Sequence, residues 1–512
     1  MMDQGLIIDL FAGGGGAGTG IAAAVGREPD IALNHDPVAM AVYKANHTTT
    51  ICRPENVWQT PPRQVVALAQ RRGKRVWILW ASPDCTHFSK AKGAKPRRKD
   101  IRSLAFVVTH YARDVSPQFI FLENVEEFVD WGPLYTVGHV MPDGRVLDEG
   151  DQLIDMPIPE RAGEDFHRFV GELRLLGYSV DWRLITASEH GAPTKRKRLF
   201  LVARRDGLPV SWPAPTHGPG LLPVRTAAEC IDWSIPVQSI FGRRKPLVPN
   251  TLRRVAQGIR KYVFENPAPF VLTIDQQGTR DTARPVDEPL STIVTKARHA
   301  LVAPTLIQVG YGERKGQAAR TLDLHAPLGT IMAQGRKHAL VSAFLREHSL
   351  AASFIAKGYG GHASPGIRAD GPLDTITTQD HHHLAAVAFE RPESAASSHV
   401  NEVRAFLSAY YGEGSEGQRL TEPLRTITTK ARLGLVTVAS VDYQLVDIGL
   451  RMLEPSELLR AQFGDHAEGY DLSAATSKAD KVRLIGNSVC PDAAAAVVLA
   501  NVGGAAVRRR AA

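Results

Sequence analysis

The chain has 512 residues, 44% of them hydrophobic, with a formal net charge of +8. That is the profile of a soluble globular protein of two or three domains, with enough chain for a sizeable apolar core. Its four cysteines (Cys52, Cys85, Cys230 and Cys490) stand far apart with no Cys/His ligand spacing, which indicates neither a disulfide framework nor a zinc site.

No apolar run reaches membrane-spanning length, and "MMDQGLIIDLF" has no basic region leading to a cleavage site. The expectation is a cytoplasmic monomer with no membrane partner. The excess of Lys and Arg fits a polyanionic partner, although many basic proteins bind none. Placement of the charge has to decide.

Residues 1–205 alternate apolar strands ("GLIIDLF", 5–11; "RVWILWA", 75–81; "FIFLENV", 119–125; "RLFLVARR", 198–205) with helical spacing at 36–47, 62–73 and 166–178. Such alternation predicts a doubly wound α/β sheet. A Gly-, Pro- and Asp-rich insertion, 131–164, reads as a hairpin or long loop. "SWPAPTHGPGLLP" (211–223) has linker composition.

Beyond the linker a phrase recurs four times: "RPVDEPLSTIVTKARHALV", "RTLDLHAPLGTIMAQGRKHALV", "IRADGPLDTITTQDHHHLAAV" and "QRLTEPLRTITTKARLGLV". Each holds Pro-Leu-x-Thr-Ile and reads as strand, polar loop, Pro turn, strand, which predicts a compact β-rich domain. Arg298, Lys337 and Arg432 precede the closing strands and would offer a row of cations to phosphates. The histidines at 381–383 occupy the same slots, which favours a loop at a DNA face or a solvated turn over a metal site. Residues 448–465 read as a helix. "KVRLIGNSVCPDAAAAVVLANV" (481–502) reads as a tight turn into an apolar helix that packs back on the first sheet.

Five segments carry chemistry. "DLFAGGGGAGTG" follows a strand and opens a helix, with Gly13, Gly15 and Gly18 in G-x-G-x-x-G spacing. It reads as a backbone approach for a cofactor, or equally as a tight turn. Asn34, His35 and Asp36 end the next strand, where a ribose is commonly held; Asp36 before Pro37 is also a good helix N-cap. Cys85 lies in "WASPDCTHFSKAKGAKPRRKD", among Lys90, Lys92, Lys95, Arg97, Arg98 and Lys99. Cations raise a thiol's thiolate fraction and also grip phosphates; the alternative is an inert cysteine in a solvated loop. Glu123 ends a strand near it, as an acid or as a capped, ion-paired carboxylate. Arg196 and Arg198 alternate into a strand, so both should face one way.

In this order the segments resemble the cytosine-5 DNA methyltransferase family. The matching motifs are Asp9–Gly16, Asn34–Asp36, Pro83-Asp84-Cys85 with Phe88-Ser89, Glu123-Asn124-Val125, Pro193-Thr194-Lys195-Arg196-Lys197-Arg198, Arg451–Glu457 and Gly486-Asn487-Ser488-Val489. The resemblance covers 1–205 and 445–502. It implies a methyltransferase fold in residues 1–211, completed by 441–512, with a target-recognition domain over 212–440.

Cys85 would be the nucleophile, Glu123 would hold the base at N3, and Arg196 and Arg198 would contact its O2 and surroundings. S-adenosylmethionine would lie among Asp9, Phe11, Gly13, Gly15, Gly16, Asn34, His35, Asn56, Val57, Pro83, Asn487, Ser488 and Val489. Ser89 and the Lys/Arg loop would grip double-stranded DNA. An RNA cytosine methyltransferase, or a DNA-binding relative weak in transfer, are the alternatives. Four positions depart from the family pattern: Asp84 stands beside the cysteine in place of Pro, Asn34 and Asn56 replace acids, and Thr194 replaces Gln.

Overall fold

The computed structural model describes residues 5–69, 75–84, 103–137, 139–140, 146–147, 154–232, 235, 238–247 and 441–508, with strands and a few single positions between 252 and 438. Its first sheet holds β1 (Leu6–Leu10), β2 (Ile31–Leu33), β3 (Ile51–Arg53), β4 (Val76–Ala81), β5 (Phe119–Asn124), β6 (Ser179–Thr186) and β7 (Lys197–Arg204). They lie in the order β6-β7-β5-β4-β1-β2-β3. β1 to β5 are parallel, and β7 runs antiparallel to both its neighbours. The predicted doubly wound sheet is therefore mixed, and its direction of winding reverses between β1 and β4.

β1, β4 and β5 are buried along their whole length, as continuous apolar runs in a parallel sheet must be. One face packs Ile8, Leu10, Leu79 and Leu122 against α3 (Pro62–Leu68), α4 (Val107–Asp114) and α5 (Glu164–Leu175), through Val65, Val108, Tyr111, Phe166 and Phe169. The other packs Ile7, Trp80, Phe121 and Phe200 against α1 (Gly16–Val25) and the C-terminal helix Pro491–Arg508, through Ile21, Val497 and Val498. That helix packs back on the first sheet, as its Ala-rich pattern predicts. Contrary to the sequence reading, the helical stretch Lys478–Gly503 is long and apolar enough to cross a membrane; 67% of its most apolar window is buried inside the molecule, as in a core helix.

The insertion forms antiparallel ribbons, Leu134–Val137 with Ile154–Pro157 and His139–Val140 with Val146–Leu147. In the repeat region all four closing segments contain strands: His299–Val302, His338–Val341, His382–Glu390 and Leu435–Val438. Two units share one pairing scheme. Phe270–Thr273 lies between Ala283–Pro285 and His299–Val302, and Ser349–Lys357 pairs with Gly366–Ile367 and His382–Glu390. The repeats thus fold as β units in three- and nine-stranded sheets.

The helix predicted over 448–465 is corrected. Val441–Met452 is a strand of the nine-stranded sheet, past the expected boundary at 440, and the helix α6 spans only Pro455–Phe463. The strand's backbone is committed to partners such as His382–Glu390 and Gln238–Ser239. Glu454 then caps α6, with Pro455 in its first turn and Glu457 closing a capping box. Before the C-terminal helix stands another, α7 (Lys478–Asn487), where the sequence suggested only a turn. The C-terminal helix is α8.

Candidate active site

The carboxyl ends of β1, β4 and β5 lie side by side, with Leu10 opposite Ala81 and Ala81 opposite Leu122. β7 enters from the same edge, placing Leu199 opposite Asn124 and Phe200 opposite Glu123. The loops after β1, β4 and β5 therefore converge with the residues that lead into β7. A reversal of winding in an open sheet leaves a crevice at this edge.

Glu123 is 6% exposed. Its Oε1 lies 3.5 Å from Arg196 Nη2 and 3.5 Å from Arg198 Nε. The alternation read from the sequence thus places both guanidiniums on one carboxylate, while Lys197 is exposed. Arg196 also donates to the Gly486 carbonyl at 3.0 Å, and Arg198 to the Lys197 carbonyl at 2.8 Å. Thr194, in the place of the family's Gln, is fully buried and accepts the Arg196 backbone N–H at 3.3 Å. Beside Glu123, Asn124 donates to the Pro83 carbonyl at 3.1 Å and accepts from the Val125 N–H at 2.9 Å. Pro83 is buried and Asp84, which follows it, is exposed.

The glycine-rich loop divides into two kinds of position. Gly15, at φ 98°, caps α1; a Cβ there would overlap the Tyr470 hydroxyl and crowd His47. At Gly16 a Cβ would overlap the Val489 carbonyl and the Ser488 hydroxyl, and at Gly18 the Tyr43 hydroxyl. These glycines serve packing. Gly13 alone among Gly13–Gly16 would carry a Cβ into open space. The preceding Phe11 is half-buried at φ 57°, a left-handed conformation that costs a non-glycine residue about 1–2 kcal/mol. The Ala12 N–H to the Leu33 carbonyl, 3.0 Å, holds that bend.

Ser488 and Val489 reach this loop from the far end of the chain. Ser488 Oγ accepts the Gly16 N–H at 3.0 Å, and its carbonyl accepts from buried Gln462 at 2.8 Å. Asn487 is exposed. Asn34 spends its amide on Ala12 O (2.8 Å) and its carbonyl on the Asp36 N–H (2.9 Å). An ionised carboxylate has no donor for Ala12 O, so the Asn serves to tie the ends of β1 and β2 together. Asp36 caps α2 (Pro37–Asn46) and pairs with Arg483 at 2.6 Å. Burial would raise its carboxyl, but Arg483 and two backbone N–H groups outweigh that and hold it low. His35 and Asn56 are exposed, and Val57 belongs to the core beside Phe11.

Under the loop lies a polar network that the sequence did not signal. Asp9, fully buried, accepts from Tyr43 Oη at 3.0 Å, and its Oδ1 has no hydrogen-bond partner among the described residues. Burial pushes its carboxyl up to about 7, the Tyr43 bond opposing. His47 Nε2 lies 3.2 Å from Thr19 Oγ1, and Tyr470 donates to the Gly14 carbonyl. Only the pairing of titratable residues with glycines in one crowded corner reveals this, and sequence spacing does not.

Three cysteines are described, and burial raises each thiol: Cys52 to about 11, Cys490 to about 12, Cys230 beyond that range. Among the described residues no cluster of His, Cys, Asp or Glu has a metal-holding arrangement. Cys85, Ser89, Lys90, Lys92, Lys95, Arg97, Arg98, Arg298, Lys337, His381 and Arg432 lie outside the described residues.

A mixed seven-stranded sheet with an antiparallel β7, a glycine-rich turn after β1 and a guanidinium-held Glu at the end of β5 defines a methyltransferase-fold protein. The sequence model of the C-5 cytosine-specific DNA methylase family matches residues 6–136 and 158–227. Through these residues, which make up less than half of the chain, it is similar to that family. It is 28% identical to the Type II methyltransferase M.AgeI of Thalassovita gelatinovora over 211 residues, 41% of this chain and 42% of that one. To M.AquIA of a Picosynechococcus strain it is 25% identical over 214 residues, 42% and 77% of the two chains. The match thus spans less than half of the first relative's length. The solved Spodoptera frugiperda DNMT2 overlaps 50% of this chain and 65% of its own, at 20% identity and a TM-score of 0.33.

Proposed function

We propose that the chain transfers a methyl group from S-adenosylmethionine to C5 of a cytosine extruded from double-stranded DNA, with Cys85 as the attacking thiol. The observation that carries this reading is the buried Glu123 carboxylate, gripped by Arg196 and Arg198 and one residue from the Asn124–Pro83 contact. An acid, two guanidiniums and the strand end leading to a cysteine meet at one edge. The raised thiols of Cys52, Cys230 and Cys490 support Cys85 by elimination, since the thiolate is the nucleophile.

The cofactor fits the loop after β1. The open space at Gly13, the bend at Phe11 and the exposed His35 and Asn56 offer a backbone approach, an aromatic face and polar groups. Bound there, S-adenosylmethionine supplies an electrophilic methyl group. Gly15, Gly16, Ser488 and Val489 shape the platform from beneath, and Asn34 fixes its rim.

The Cys85 thiolate adds to cytosine C6, forming a C–S bond and making C5 nucleophilic. Glu123 holds the base at N3, and Arg198 stabilises charge at O2. Once C5 carries the methyl group, its proton leaves to solvent and the C–S bond breaks, restoring the thiol. The base must leave the helix for this, and the basic residues 90–98 and the β-repeat lobe suit a duplex backbone. The Type II relatives support a restriction–modification setting and a cytoplasmic location.

The test is incubation with plasmid DNA and labelled S-adenosylmethionine, followed by mapping of 5-methylcytosine. Label in DNA that vanishes in Cys85→Ala supports the reading. Label in tRNA alone would assign an RNA methyltransferase, and no label in either would leave a DNA-binding relative.

A further inference from the structure

Arg196 and Arg198 touch the same carboxylate but are built differently. The Arg196 side chain is 5% exposed and spans two partners, Glu123 Oε1 through Nη2 (3.5 Å) and the Gly486 carbonyl through Nη1 (3.0 Å). Arg198, 13% exposed, meets Glu123 through Nε and otherwise donates to its neighbour's carbonyl. Two residues beyond Gly486, Ser488 Oγ accepts the Gly16 N–H at 3.0 Å. Gln462 holds the Ser488 carbonyl at 2.8 Å, so the C-terminal end of α7 and its cap are pinned at three points. A short chain of contacts therefore runs from Glu123 through Arg196 and this helix end to the glycine-rich loop.

We propose that Arg196 is a positioning residue that couples the base pocket to the cofactor platform, while Arg198 serves the base alone. This rests on the reading of the glycine-rich loop as the cofactor platform. A planar guanidinium can hold a carboxylate with one nitrogen and a carbonyl with another; the single ammonium of a lysine cannot reproduce that fork. Thr194 Oγ1 on the Arg196 N–H fixes the backbone from which the strut projects. Whatever changes the charge at Glu123 then shifts the seat of Gly16. Linkage makes the effect reciprocal between base and cofactor.

The test is calorimetric binding of S-adenosylhomocysteine to the full chain, without DNA. Arg196→Lys should weaken binding by about fivefold or more, within the usual range of site–site coupling. Arg198→Lys should keep it within about twofold while losing methyl transfer. Glu123→Gln should weaken it more than about twofold in the wild-type background, and not further in Arg196→Lys. Folded Arg196→Lys with wild-type affinity overturns the proposal. Should Arg196→Lys not fold, an unchanged affinity in Glu123→Gln overturns it equally. Absence of binding by the wild type instead removes the cofactor reading, and the coupling with it.

Discussion

Asn124 donates its side-chain amide to the Pro83 carbonyl across 3.1 Å, joining the end of β5 to the backbone two residues before Cys85. Asn124 is 1% exposed, so water does not replace it when it is removed. Asn124→Ala should cost about 1–3 kcal/mol of stability through the unmet carbonyl. Its larger effect should be on single-turnover methyl transfer, lowered about 100-fold by misplacement of the thiol. S-adenosylhomocysteine affinity should hold. Transfer at the wild-type rate would mean the contact does not position the cysteine loop.

The glycine-rich loop predicts opposite outcomes for two adjacent-looking changes. Gly16→Ala drives a methyl group into the Val489 carbonyl, so unfolding by urea should show a loss of about 1–3 kcal/mol. Gly13→Ala meets nothing and should unfold within about 0.5 kcal/mol of wild type. It should nevertheless weaken S-adenosylhomocysteine, because the methyl group fills the approach. Equal stabilities for the two variants would contradict the packing described.

Asp9 should make stability depend on pH. Its carboxyl rises from an unfolded value near 3.8 to about 7 in the folded chain. Between those values the folded state binds more protons than the unfolded one, so stability falls as pH rises through the window. The full shift corresponds to about 4 kcal/mol. Asp9→Asn keeps the shape without the charge. Urea midpoints measured from pH 4 to 8 should decline for wild type over this range and decline less for Asp9→Asn.

Glu457 is fully buried and takes both Arg451 nitrogens at 2.8 Å, the Asp232 N–H at 2.8 Å and the Glu454 N–H at 2.6 Å. Glu457→Ala strands a buried guanidinium, and breaking such a pair costs about 3–5 kcal/mol. Replacing both partners by Met should recover part of that loss, because it also removes the cost of burying charge. A Glu457→Ala protein as stable as wild type in chemical denaturation would show that the pair is dispensable.

The edge proposed as catalytic is legible because its signals are local. A strand followed by Asp9–Gly16, and Arg196 and Arg198 two residues apart, each state a geometry in a few residues. The network of Asp9, Tyr43, His47 and Tyr470 was hidden because its members come from three distant segments. The strand Val441–Met452 reads as helix at its end, since Ile448, Met452, Leu459 and Phe463 recur at intervals of four, seven and four across Pro455. Sheet pairing on both sides of 448–452 overrode that period. The departures Asn34 and Thr194 looked like losses in the sequence and turned out to be bonded parts of the scaffold.

The Ser488–Gly16 hydrogen bond joins residues 472 positions apart. A ribosome emits Gly16 early and Ser488 only after the whole β-repeat lobe. Until then α1 lacks its cap from Ser488, the first sheet lacks α8 over one face, and Glu457 has yet to meet Arg451. Pairings this distant in sequence form slowly and leave apolar surface uncovered while they wait. The repeat lobe must therefore fold, or at least stay soluble, beside an unfinished sheet. A nascent chain halted anywhere within the lobe carries the β1 loop and Glu123 but not the 486–488 segment that seats them, so the proposed methyl transfer should arise only after the C-terminal helices emerge.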